Sequence, residues 1–134
     1  MSDANRKLIQ EMCEAFGRRD WKAGLEPISD DIEWDMSTYG SWPDTGVVHG
    51  PAAVQTFFRS YLGTWDDYEI DFDQYLDVGD EVLVIVHDRG RGKGSGALVE
   101  RHWAQLWTVR DGKVVRFRAY ANPQAGLEAA GLAG

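Results

Sequence analysis

The stretch EVLVIVHDRGRGKGSGALVERHWAQLWTVRDGKVVRFRAY, residues 81–120, decides the fold. It holds three strand-like runs, separated by a glycine-rich segment and by an Asp-Gly pair at 111–112 that is typical of two-residue hairpin turns. If the chain folds back about residues 94–95, His87 lies opposite His102. Directly opposed residues of antiparallel strands hold their Cβ atoms roughly 5 Å apart on one face of the sheet. The stretch therefore predicts an antiparallel sheet that carries a histidine pair.

Helical spacing of apolar residues dominates the chain before this sheet. A first helix is predicted from a cap at Ser2 or Asp3 to Gly17, and a short second helix, reaching Ile28, is predicted after a cap at Asp20. A third helix is predicted to open at Pro51, where the missing N–H costs nothing. The alanine-rich tail, residues 124–132, is expected to be helical as well.

Strand patterns fill most of the remaining chain, and Asp-Asp at 30–31 is expected to separate the second helix from the first strand. The predicted strands are residues 32–36, 68–73, 81–91, 99–109 and 114–120. Helices followed by strands are typical of an α+β fold. We expect a curved mixed, mostly antiparallel sheet wrapped around the N-terminal helices, forming a cone with an interior pocket.

Composition limits the class of protein and of partner. The 134 residues, 43% of them hydrophobic, fit one domain over residues 1–134. No signal peptide or membrane span is recognisable, so a cytoplasmic protein is expected. A net charge of −8 argues against nucleic acid and anionic membranes as partners. Cys13 is the only cysteine, which leaves no disulfide framework or thiolate metal site and predicts a small core residue.

Three motifs carry a resemblance to a known family. They are DDIEW at 30–34, HGP at 49–51 and DGKVVRFRAY at 111–120. With the order of elements, they make residues 5–131 resemble the SnoaL-like polyketide cyclase group of the nuclear transport factor 2-like (ketosteroid isomerase-like) superfamily. The resemblance implies the cone fold. It leaves the reaction open, because relatives include isomerases, aldol-type cyclases, epoxide hydrolases, dehydratases and members with no known reaction.

The resemblance also says which catalytic groups are absent. Met36 stands where steroid isomerases have a base carboxylate and epoxide hydrolases a water-holding amide. His87, Arg89 and Asn122 stand where the epoxide hydrolases have an Arg, an Asp and a second Asp of their relay. The usual carboxylate machinery is thus missing. The same resemblance implies that His87, Arg89 and His102 face the pocket, and the dehydratases of the superfamily use a histidine pair there.

A catalytic site follows from these placements as a hypothesis. His87 would be the general base and His102 the partner acid, while Tyr120 or Arg118 would bind the oxygen that gains charge. The alternative is that both histidines are structural, held by hydrogen bonds on a mostly buried strand. No metal site is expected, because two histidines without a clear third ligand are incomplete.

The substrate-binding residues are expected around this pair and at the mouth of the cone. Asp35 is expected to be structural, because strand alternation puts it on the face opposite its two neighbours. The predicted substrate-binding residues are Trp34, Met36, Tyr39, Arg89 and Asn122. Trp42 and Asp44 are expected in the same loop as Tyr39, near the mouth of the cone.

Two functions of different class remain open at this point. The first is a cofactor-independent acid–base enzyme acting on an apolar carbonyl-containing small molecule by isomerisation, aldol-type cyclisation or dehydration. The alternative is a non-catalytic small-molecule-binding domain of the same fold. A third possibility is an interaction module. A homodimer is expected in every case, formed through an outer sheet surface that includes Trp103, Trp107 and Phe117.

Overall fold

One curved six-stranded sheet, with helices packed on it, forms the part of the chain that the structure describes. The computed structural model describes residues 2–36 and 47–132. In chain order the elements are α1 (Ser2–Gly17), α2 (Trp21–Leu25), β1 (Ile28–Asp35), β2 (Val47–His49), α3 (Pro51–Leu62), β3 (Trp65–Val78), β4 (Glu81–Gly92), β5 (Leu98–Arg110), β6 (Lys113–Tyr120) and α4 (Pro123–Ala129). The predicted α+β class is confirmed.

The sheet is mixed but mostly antiparallel, as predicted. Its strand order is β2-β1-β6-β5-β4-β3, and only β1 and β6 run parallel to each other. The glycine-rich turn pairs β4 with β5 so that His87 lies opposite His102. The second hairpin turns at Asp111 and Gly112, whose φ angles of 51° and 73° are those of the turn that matches strand twist. Both predicted hairpins are confirmed.

The N-terminal helices lie on the inner face of the sheet, which we define as the side of Trp34 and Trp107. The apolar stripe of α1 buries Ile9, Met12 and Phe16 in the main core. The side chain of Asp20 accepts a hydrogen bond from the Ala23 N–H at 3.2 Å and caps α2, as predicted. These helices close the concave side of the sheet and leave a pocket between them and the strands.

The strand boundaries differ from the prediction in three places. β1 begins at Ile28, because an irregularity in its pairing with β6 between Ile28 and Glu33 lets the exposed Asp-Asp pair at 30–31 stay in the strand. β3 is longer than predicted, because its pairing with β4 runs from Trp65 to Val78, across two irregularities. The short strand β2 was not predicted.

A second, smaller core lies on the outer face of the sheet, the side of His87 and Tyr120. Helix α4 packs there on Leu83, Leu106 and Tyr120. Gly126 makes this close approach possible, since a Cβ at that position would lie 2.4 Å from the Cβ of Ala104. Helices therefore cover both faces of the sheet, whereas the sequence predicted them on one.

The surface expected for dimerisation is built differently from the prediction. Trp103, Trp107 and Phe117 lie in the main core and are at most 8% exposed, so their placement on an outer sheet surface was wrong. A homodimer stays a prediction. Within residues 2–36 and 47–132, no helix is both long and apolar enough to pass through a membrane.

Candidate functional site

The inner pocket lies between helices α1 and α3 and the concave face of the sheet. The cavity has a volume of about 60 Å³ and is partly open to solvent. Its wall is mainly aromatic. The central aromatic residues are Trp21, Trp34, Phe57, Phe58, Trp107 and Phe117. A concave, largely apolar pocket with few polar groups is the usual form of a small-molecule site.

Trp34 is at the centre of this aromatic wall. Its ring stacks on Phe117 with 3.9 Å between centroids, and it meets Trp107 and Phe58 edge-on at 5.6 and 5.4 Å. Offset-stacked and edge-on contacts fix ring orientation more firmly than aliphatic packing does. The wall therefore presents rigid ring faces, which suit a flat apolar ligand.

One end of the pocket carries a polar trio, Tyr68, Asp88 and Arg101. The Tyr68 hydroxyl donates to Asp88 Oδ2 at 2.6 Å, and Arg101 donates from Nε and Nη2 to the two carboxylate oxygens at 3.1 and 2.8 Å. Asp88 is only 1% exposed, while Tyr68 and Arg101 line the pocket. A buried carboxylate is stabilised by such charged and neutral donors together. The trio thus presents a phenol and a guanidinium to the pocket.

A second polar group, Gln105, lies deeper in the pocket wall. Its Oε1 accepts a hydrogen bond from Trp107 Nε1 at 3.1 Å and lies 4.0 Å from Cys13 Sγ. Cys13 is fully buried, and burial raises the pKa of its thiol well above the usual range. The thiol is therefore protonated near neutral pH and is a wall group, as the sequence predicted, and not a nucleophile.

The histidine pair is formed, but on the outer face. The His87 and His102 rings stack with their centroids 5.3 Å apart. His87 Nδ1 lies 2.8 Å from Asp73 Oδ2 and Nε2 lies 3.1 Å from Asp71 Oδ2, so the ring donates to both aspartates when both of its nitrogens are protonated. The hydrogen bond to Asp73, with the charges of both aspartates, raises the pKa of His87. His87 therefore belongs to a surface cluster with Asp71 and Asp73.

Comparison with known proteins identifies the family. The model of the SnoaL-like domain matches residues 9–117 of the chain. The chain belongs to the SnoaL-like domain family. The predicted resemblance is thereby confirmed. No curated protein matches the chain.

Solved structures agree with this SnoaL-like fold. An NTF2-like protein from Burkholderia thailandensis E264 is 26% identical, with a TM-score of 0.80 and 95% of both chains covered. One from Burkholderia xenovorans LB400 is 28% identical, with a TM-score of 0.75 and coverage of 97% of this chain and 98% of that one. TerC, co-crystallised with polyporic acid, is 22% identical, with a TM-score of 0.77 and coverage of 96% and 98%.

Strand parity in this SnoaL-like domain corrects the expected position of the histidines. In β4 and β5 the inner residues are Val86 with Trp103 and Asp88 with Arg101, each an opposed pair. His87 and His102 have the opposite parity, and neither lines the pocket. Their expected pocket-side placement was wrong, because a shift of one residue exchanges the two faces of a strand. A catalytic role for them stays a prediction.

Two arginines expected in the pocket are bound elsewhere. Arg89 pairs on the outer face with Asp71 at 3.0 Å and with Glu69 at 3.4 Å. Arg118 Nη2 lies 2.6 Å from Glu81 Oε2, also on the outer face. Both arginines share the parity of the histidines. Their expected position beside a substrate in the pocket was therefore wrong, for the same reason.

Tyr120 and Asn122 belong to the α4 region of the outer face. Tyr120 is packed in the small core under α4. The Asn122 side chain accepts a hydrogen bond from the Ala125 N–H at 2.8 Å and caps α4. Placing them on the pocket side was wrong, because β6 turns Phe117 and Ala119 inward and Tyr120 outward, and Asn122 lies beyond β6 as the cap of α4.

The remaining expected binding residues have mixed outcomes. Trp34 and Met36 line the pocket, as predicted. Asp35, between them, is absent from its lining, as alternation predicted. Tyr39, like Trp42 and Asp44, lies outside the described residues. Binding of a substrate by Trp34 and Met36 stays a prediction.

Sequence reasoning missed the polar groups that do line the pocket. The signal for two of the trio was available, because the hairpin register that opposes His87 to His102 also opposes Asp88 to Arg101. Oppositely charged residues at directly opposed positions stabilise each other, which favours this pair. No signal of this kind identifies Gln105. In the described part of the chain, no group of three or more His, Cys, Asp or Glu side chains is arranged to hold a metal ion.

Proposed function

We propose that this SnoaL-like domain binds a flat, mostly apolar small molecule in the inner pocket. The observation that carries the proposal is the aromatic wall around Trp34, which offers rigid ring faces and polar groups at only a few points. TerC, which shares the fold, was co-crystallised with polyporic acid, and this supports small-molecule binding by the fold. Binding requires no cofactor in this proposal.

The described pocket favours binding over histidine catalysis. Of the described residues that line it, none is a histidine, aspartate or glutamate. The thiol of Cys13 is held protonated by burial. The four residues expected to catalyse a reaction all lie on the outer face or under α4. The alternative function drawn from the sequence, a small-molecule-binding domain, therefore becomes the leading proposal.

Filling the pocket tests this proposal. Ile70 lies in the wall, and Ile70→Trp would place a large ring in the pocket. With 1-naphthol as the probe, isothermal titration calorimetry is expected to show binding to the wild type and at least tenfold weaker binding to Ile70→Trp. Leu98→Trp is the matched control, because Leu98 is 73% exposed and distant from the wall. Equal binding by wild type and Ile70→Trp would contradict the proposal.

A specific observation favours a second candidate function, cofactor-independent proton transfer on an apolar carbonyl compound. The 2.6 Å hydrogen bond from Tyr68 to Asp88 links a pocket phenol to a buried carboxylate, and Arg101 stabilises the charge on that carboxylate. A carbonyl oxygen near Tyr68 would take the phenolic proton, and the resulting phenolate, stabilised by the positive Arg101, would take a proton from the neighbouring carbon, so that the ketone becomes the enol and Tyr68 regains its proton. The proton-transfer role thereby moves from the histidines to Tyr68.

Exchange at an enolisable carbon separates the two candidates. In D₂O, NMR would follow loss of the α-proton signals of 2-tetralone with and without the protein. An enzyme accelerates exchange above the buffer rate, and Tyr68→Phe is expected to lower this acceleration about 10²-fold or more. Tyr75→Phe is the control, because Tyr75 lies in the same strand and is absent from the pocket lining. Binding of the ketone without accelerated exchange would support the binding domain alone.

A further inference from the structure

We infer that Gln105 is the residue that recognises the ligand, by donating a hydrogen bond from its side-chain amide to an acceptor oxygen of a neutral, flat compound. This inference rests on the proposed binding function of the inner pocket. It assigns a recognition role to a residue that the sequence did not single out. It also narrows the ligand class to compounds that carry a carbonyl or ether oxygen.

The orientation of the Gln105 amide is fixed by its neighbours. The indole Nε1 of Trp107 is a donor only, so the Gln105 atom that lies 3.1 Å from it must be the oxygen. The Cys13 thiol, protonated because it is buried, lies on the same oxygen at 4.0 Å and adds a weak donor. A reversed amide would set two N–H groups against the indole N–H. The amide NH₂ group is therefore directed away from Trp107 and Cys13.

The NH₂ group of Gln105 has no hydrogen-bond acceptor among the described residues. Gln105 is 7% exposed and lines the pocket. Buried amide donors are normally satisfied by protein, water or ligand. An oriented donor without a protein partner, in an aromatic pocket, is the arrangement expected where a ligand supplies the acceptor.

The indole N–H of Trp34 is a second, independent observation that supports a ligand with an acceptor oxygen. Trp34 is 2% exposed and lines the same pocket, and its indole Nε1 is buried without a hydrogen-bond partner among the described residues. An indole N–H can donate but cannot accept. Two wall groups therefore offer donors, and neither is charged. A neutral ligand with an acceptor oxygen satisfies them, whereas a pure hydrocarbon of the same shape leaves both unsatisfied.

A matched pair of probes tests the role of Gln105. 2-Tetralone carries a ketone oxygen, and tetralin has the same two rings without it. Wild-type protein is expected to bind 2-tetralone more tightly than tetralin. Gln105→Leu, which removes the donor and keeps similar bulk, is expected to weaken 2-tetralone binding about tenfold and leave tetralin binding unchanged. Gln74→Leu on β3 is the control, because Gln74 is exposed and absent from the pocket lining.

An NMR measurement on the unmutated protein tests the role of Gln105 even if the Gln105→Leu variant does not fold. 2-Tetralone is expected to shift the side-chain amide proton signals of Gln105 downfield, and tetralin is not. If both probes bind but Gln105→Leu weakens neither, or the amide signals do not respond to the ketone, the recognition role is overturned and pocket binding stands. If neither probe binds the wild type, the binding function and the role of Gln105 are both overturned.

Discussion

His87 and Asp88 are neighbours in β4, yet they belong to two different surfaces of the molecule. Asp88 is 1% exposed and is bound on the inner side by Tyr68 and Arg101. His87 lies on the outer side, where Asp71 and Asp73 contact it from β3. Strands β3 and β4 thus contribute to the enclosed pocket wall on one face and to an open charged surface on the other. A residue type suited to catalysis is therefore informative only when its face of the sheet is known.

Removing the inner carboxylate is expected to have the largest effect. Asp88→Ala leaves the Arg101 guanidinium and the Tyr68 hydroxyl without their shared acceptor, which costs about 3 kcal/mol of unfolding free energy. His87→Ala is the matched control on the opposite face and is expected to lose much less. Urea unfolding followed by tryptophan fluorescence measures both. A loss from His87→Ala as large as that from Asp88→Ala would contradict the difference between the two faces.

An intermediate effect is expected where α4 closes part of the outer face. The Gly126→Val side chain would collide with Ala104, because even a Cβ there lies 2.4 Å from the Ala104 Cβ. The helix must shift, at a cost of about 2 kcal/mol in unfolding free energy. Binding of 1-naphthol should survive, since α4 and the pocket lie on opposite sides of the sheet. Ala129→Val, at an exposed position of the same helix, is the control. Unchanged stability of Gly126→Val would disprove the close packing.

The smallest effect is expected in the open part of the outer face. The hydrogen bond to Asp73 raises the pKa of His87, so the protonated ring is favoured in the folded state. Its contribution to stability is fully present below the unfolded pKa of about 6.5 and is lost as pH rises through the higher folded pKa. In an NMR titration, Asp73→Asn should lower the pKa of His87.

Asp66→Asn is the control for this titration, because Asp66 is exposed and is not among the groups that shift the pKa of His87. It should leave the titration of His87 unchanged. A pKa of His87 that is the same in wild type and Asp73→Asn would show that the ring does not depend on this carboxylate.

The pairing of strands could be predicted from the sequence because turns determine it. The glycine-rich segment between β4 and β5 folds back about residues 94–95, as predicted, and this turn opposes His87 to His102. The Asp111-Gly112 turn sets the pairing of Arg110 with Lys113 and of Val109 with Val114, and an irregularity between Thr108 and Val109 shifts the register by one residue beyond them. Local chemistry was sufficient here, because a turn constrains the residues that flank it directly.

The face of β4 could not be predicted, and the structure shows why. Residues 82–86, Val-Leu-Val-Ile-Val, are apolar on both parities. Val82, Val84 and Val86 face the main core, while Leu83 is covered by α4 on the outer side. Because neither face of this segment is exposed to solvent, polar and apolar residues do not alternate along it. The sequence therefore does not show which residues face the main core. The position of α4 would have had to be known first, and it depends on contacts distant in sequence.

The parallel pairing of β1 with β6 constrains the order in which the sheet can form during synthesis. Among the described strands, β1 can pair during synthesis only with the three-residue β2 until β6, some 80 residues later, has been made. The stack of Trp34 on Phe117 joins these two strands, so the centre of the aromatic wall forms last. Contacts so distant in sequence slow folding and leave apolar surface exposed meanwhile. A nascent chain that stops before β6 therefore carries an aromatic wall without Phe117, open to the solvent and to chaperones.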